Sequence, residues 1–68
     1  MTLEVGSIYN VRHSRKGSFQ VQVIEIGDEF ITGIMTDGEA KQISAWNDNF
    51  IEGDEISLRI RFCEFSKV

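Results

Sequence analysis

Ser18-Phe-Gln-Val-Gln-Val-Ile-Glu-Ile26, bounded by Ser14-Arg-Lys-Gly17 before it and Gly27-Asp28 after it, is the longest strand-like stretch of the chain. Phe19, Val21 and Val23 share one face of a period-2 pattern, and the apolar phase then moves to Ile24 and Ile26. A phase change inside a strand indicates a bulge or a sharp bend. In a small barrel, a long bent strand of this kind serves both halves of the closed sheet.

The neighbouring segments extend the same pattern. Ser7 to Val11 alternates, with Tyr9 and Val11 opposed to Ile8 and Asn10. Phe30 to Met35 reads as a third strand, with Gly33 in its middle, where a missing side chain permits strong coiling or close approach of another backbone. Asp37-Gly38 predicts a two-residue hairpin into a fourth strand, Glu39 to Ile43. Ser44 to Phe50 has no period of two and is rich in Asn and Asp, so a loop or a single 3₁₀ turn is expected there. Ile56, Leu58, Ile60 and Phe62 alternate with Ser57, Arg59 and Arg61, which predicts a closing strand with both arginines outward. The sum is an all-β domain of five strands, closed as a small barrel, with a short 3₁₀ turn before the last strand.

At 68 residues the chain makes one domain, near the size at which a hydrophobic core alone gives marginal stability. Apolar runs are short and no basic segment precedes an apolar one, so a soluble, unexported protein with no membrane span is expected. The single Cys63 forms no internal bridge, and a domain this small built for an oxidising compartment usually carries several, so a cytoplasmic location follows. The net charge of −4 argues against a protein that grips nucleic acid over its whole surface. The charges are unevenly spread: Asp28 to Glu55 is acidic apart from Lys41, whereas Arg12, Arg15 and Lys16 cluster at the first turn.

Gly6-Ser-Ile-Tyr-Asn-Val11, the Asp37-Gly38 turn, the irregular Trp46 segment and Glu52-Gly-Asp-Glu-Ile56 give a layout that resembles the SH3-like small barrels, including ribosomal and transcription-factor versions. Peptide-binding SH3 domains carry paired aromatics in the early loop and adjacent tryptophans. Neither is present here, so polyproline recognition is not implied. The segments Tyr9 to Phe19 and Arg59 to Phe65 also resemble small uncharacterised phage and prophage proteins, a likeness that brings no assigned activity.

Candidate chemistry is sparse. His13 and Cys63 nominally form a base and a nucleophile, but they read better as a turn residue and an apolar filler, so no catalytic residue is assigned. Four Cys or His ligands for zinc are lacking, Asp48-x-x-x-Glu52-x-Asp54-Glu55 lacks the spacing of an EF-hand loop, and no phosphate loop occurs. No metal or cofactor is therefore expected. The reading is a non-enzymatic module that binds a protein through Tyr9, Arg12, Arg15, Lys16 and Trp46, with a host protein as a target it would modulate. Trp46 has a structural alternative, as a plug packed with Phe50 over one end of the barrel. A nucleic-acid-binding barrel would instead use Arg12, Arg15, Lys16, Arg59 and Arg61 beside aromatic rings. Self-association through an exposed strand edge is a third possibility.

Overall fold

The computed structural model describes residues 3–41 and 49–68. Five antiparallel strands form one sheet: β1 (Ile8–His13), β2 (Gly17–Ile26), β3 (Phe30–Gly38), β4 (Glu55–Arg59) and β5 (Cys63–Lys67), in the order β4-β3-β2-β1-β5. A 3₁₀ turn, η1 (Ile60–Phe62), links β4 to β5. Among the described residues no ladder joins the edge strands β4 and β5, and the sheet is not closed into a barrel.

Alternation places the core. Tyr9 and Val11 on β1, Phe19, Val21 and Val23 on β2, Ile31 and Met35 on β3, and Ile56 and Leu58 on β4 are all buried on one face. Full burial of a side chain such as Ile31 or Leu58 contributes about 1.5–3 kcal/mol. The Tyr9 ring meets Phe65 edge-on at 6.2 Å, and its hydroxyl accepts the Glu4 N–H at 2.8 Å, so the polar tip is satisfied inside the core.

The bend expected in β2 is present as two register shifts against β3, between Gln20 and Val21 and between Val23 and Glu25. Ile24 and Ile26 beyond it remain exposed, so the phase change marks the bulge without adding to the core. Gly33 is where the strands come closest: a Cβ built there would lie 2.9 Å from the Gln22 carbonyl oxygen and 3.3 Å from Val21 Cβ.

Two expectations need correction. Asp37-Gly38 does not turn the chain into a hairpin; both residues continue β3 and pair with Gln20 and Phe19 of β2. Gly38 has φ +81, and a Cβ there would sit 3.0 Å from Phe19 Cα, so the glycine serves close backbone approach at the strand end. Of the fourth strand expected over 39–43, residues 42 and 43 lie outside the described residues. Among 39–41 only an isolated bridge forms, from Ala40 to Phe50. The predicted closing strand, Ile56 to Phe62, is likewise broken at Arg59. Arg59 pairs with Phe30, the first residue of β3, and beyond it no strand remains to pair with. The chain therefore coils through η1, where Ile60 N–H reaches the Glu29 carbonyl at 2.9 Å, and begins β5 against β1. A 3₁₀ turn does precede the last strand, but at Ile60–Phe62; of the stretch 44–50, residues 44–48 lie outside the described residues.

Gly33→Ala is expected to destabilise the protein by about 1–3 kcal/mol, because Cβ would press on β2 backbone that cannot move aside. Urea denaturation measures this, and a loss below about 0.5 kcal/mol would contradict the close approach.

Candidate functional site

The turn between β1 and β2 is built around one imidazole. His13 pairs with Gly17, the first residue of β2, across Ser14, Arg15 and Lys16, and Gly17 takes φ +89, a left-handed conformation open to glycine. His13 is 7% exposed, and its Nδ1 accepts the Arg15 N–H at 3.0 Å and the Lys16 N–H at 3.2 Å. An imidazole nitrogen that accepts carries no proton, so neutral His13 holds its hydrogen on Nε2. Burial, and then the charges of Lys16 and Arg15, push its pKa below the ordinary 6.5.

The same imidazole touches η1. Its ring meets Phe62 edge-on at 6.3 Å, and Ser14 N–H donates to the Phe62 carbonyl at 3.2 Å. From Phe62 a run of guanidinium and phenyl groups crosses the surface. Arg61 lies over Phe62 at 5.3 Å, and Arg59 lies over both Phe62, at 5.7 Å, and Phe30, at 4.9 Å. Phe30 and Phe62 are 44% and 45% exposed, large for phenyl groups on so small a domain. On the other side of the turn, Lys16 Nζ lies 5.1 Å over the Phe50 ring and donates to the Lys41 carbonyl at 3.3 Å.

The fold thus brings the first turn and the two late arginines together, although they are more than forty residues apart in the chain. Arg12, Arg15, Lys16, Lys41, Arg59 and Arg61, six of the seven Lys and Arg residues, lie on or beside these segments; Lys67 pairs with Glu4 instead. Arg12 projects from the outer face of β1 and is 4.0 Å from Glu64, with both side chains mostly in solvent, an arrangement of little energetic weight.

Not every residue expected at a binding surface is there. Tyr9 is 1% exposed in the core, because odd-numbered β1 residues face inward, and it cannot anchor a partner. Phe19 is buried on the same face. Trp46 lies outside the described residues. Arg59 and Arg61 do not share one strand face: the first ends β4 and the second sits in η1. Among the described residues, Phe30 and Phe62, which the sequence places on strands, emerge as the exposed aromatics.

The register also sets His13 opposite Cys63. The pair is chemically idle, since Nδ1 is committed to two backbone amides and Nε2 holds a hydrogen, leaving no lone pair for the thiol. Burial pushes the Cys63 thiol up to about 11, against the smaller opposing effect of Lys16. Among the described residues no three His, Cys, Asp or Glu side chains gather to hold a metal ion. Asp54, part of the acidic run, accepts the Ile51 N–H at 2.9 Å. A groove of about 580 Å³ runs over β5, β1, β2 and the end of β3. Its Gln20 and Asn10 side chains hydrogen-bond to each other at 3.0 Å, which leaves it less to offer a ligand than the aromatic end.

Comparison with protein families, with curated proteins and with solved structures found no match to this chain. Among the described residues no helix is long and apolar enough to cross a membrane.

Because the folded state disfavours His13 protonation, the unfolded chain binds the proton more readily, and stability rises with pH through this group. Its contribution is complete above pH 6.5 and is lost as the pH falls from there through the lower folded value. His13→Ala is expected to cost about 1 kcal/mol at pH 7.5 and to flatten the dependence just below pH 6.5. Urea melts of both proteins at pH 5.5 and 7.5 check this. Equal pH slopes would remove His13 as the cause.

Proposed function

We propose that this chain is a small non-enzymatic binding module, SH3-like in architecture, that docks a protein partner on the end formed by Phe30, Arg59, Arg61 and Phe62. The observation that carries the reading is the pair of exposed phenyl rings with guanidinium groups laid on their faces. Aromatic and arginine side chains are the types enriched at protein interfaces, where a few of them supply most of the binding energy. Arg12 of β1 and Arg15 and Lys16 of the adjoining turn extend the surface. The strand order, the bulged β2 and the 3₁₀ turn before β5 support the SH3-like reading. The resemblance to phage and prophage proteins suggests a host protein as the partner, and the free, protonated Cys63 thiol suits a cytoplasmic setting.

The gathering of cations at one end supports a second reading, a nucleic-acid surface formed by Arg12, Arg15, Lys16, Arg59 and Arg61. Salt separates the two, since phosphate contacts from these five cations lose roughly 100- to 500-fold in affinity between about 50 and 200 mM salt, whereas an interface anchored on phenyl groups loses far less.

Capture of partners from a cytoplasmic extract with and without nuclease, at both salt concentrations, is expected to recover a nuclease-resistant protein. Phe30→Ala with Phe62→Ala should abolish that recovery while the melting temperature stays within a few degrees. Recovery that disappears with nuclease would transfer the function to nucleic acid.

A further inference from the structure

Resting on that docking end, we infer that its partner is an acidic amphipathic polypeptide segment, with carboxylates for Arg59, Arg61 and Arg15 and apolar side chains for Phe30 and Phe62. The charge side follows from what these arginines lack. The chain has eleven Asp and Glu against seven Lys and Arg, yet the ion pairs among the described residues are Arg12 with Glu64 and Lys67 with Glu4. Arg15, Arg59 and Arg61 have no carboxylate within ion-pair distance among the described residues, even though Asp28 and Glu29 occupy the turn just before Phe30. In a protein with an excess of acid, the Arg59 and Arg61 guanidinium groups lie on ring faces instead of on carboxylates, which leaves their hydrogen-bonding edges available for an outside anion.

The apolar side follows from what surrounds the rings. Gly27 N–H donates to the Phe30 carbonyl at 2.7 Å and closes a tight turn that leaves the Phe30 ring 44% exposed, on the face opposite to the buried Ile31. Part of each phenyl face is already covered by a guanidinium, which leaves less for a base to stack on. The carboxylates of Asp28 and Glu29 would also repel a long polyanion running past the turn. A segment that alternates acidic and apolar residues meets both halves of the surface, and its short run of charge need not pass those carboxylates. A second copy of this chain is a less complete fit. Its acidic stretch Glu52 to Glu55 leads into β4, whose Ile56 and Leu58 are buried in its own core.

The test is selection of random twelve-residue displayed peptides on the full chain, followed by amide shift mapping of the selected peptides. Selected peptides are expected to be enriched in Asp and Glu interleaved with Leu, Ile or Phe, and to move the amides of Phe30 and of Arg59 to Phe62. Arg59→Gln with Arg61→Gln should weaken them about 30-fold. Arg15→Gln, in the exposed turn, is a second variant that leaves the packing untouched. Peptides that map to this end without an acidic bias would overturn the inference and leave the protein-binding reading standing. A single-stranded dT oligonucleotide that binds this end while no peptide is selected would overturn both, as would a self-associating chain whose interface buries Phe30 and Phe62 and excludes peptides.

Discussion

The surface described above depends on one buried imidazole. His13 satisfies two backbone N–H groups of the turn that follows it, and it presents its ring edge to Phe62 across the junction of β1 and η1. The two hydrogen bonds require the neutral ring, unprotonated at Nδ1. A proton there would remove the acceptor and place a third positive charge beside Arg15 and Lys16, in a site from which water is largely excluded. The turn and the 3₁₀ segment are therefore coupled through one imidazole whose pKa burial pushes below its ordinary value.

Strand accounting explains why so much charge can gather at one end of an acidic protein. β3 begins at Phe30, so β4 has no partner after Arg59 and must leave the sheet there. The chain takes three residues of 3₁₀ turn to reach β1, and those residues place Arg61 and Phe62 against the first turn. β4 itself runs from Glu55 to Arg59, so a single strand carries the chain from its acidic region to its basic end. Phenyl rings then take the place that carboxylates would fill on an ordinary surface.

Much of the sheet was legible in the sequence because period-2 alternation with turn residues between strands is a direct record of burial. Tyr9 and Val11 share one face as their spacing predicts, and so do Phe19, Val21 and Val23, and Ile56 and Leu58, all of them buried. The bulge in β2 and the crowding at Gly33 were legible for the same reason. The failures share a cause: local pattern does not say where a strand runs out of partner. Asp37-Gly38 looks like a hairpin turn, yet β2 is long enough to pair with both residues. Ile56 to Phe62 alternates without a break, yet the ladder ends at Arg59, which turns Phe62 from an expected core residue into an exposed one. Tyr9 shows the converse error, because a tyrosine in an early strand resembles a surface anchor until the parity of β1 is fixed. The basic turn and the two late arginines were both visible, but their meeting needed the β1–β5 pairing, which joins residues about fifty positions apart.

The state of the His13 ring is the most direct test of this account. The protein has one histidine, so nitrogen-15 shifts of both imidazole nitrogens can be followed through a pH titration without ambiguity. The account predicts the neutral tautomer with its proton on Nε2 and a midpoint below 6.5, with the amides of Arg15, Lys16 and Phe62 shifting over the same range. A proton on Nδ1, or a midpoint at or above 6.5, would contradict it.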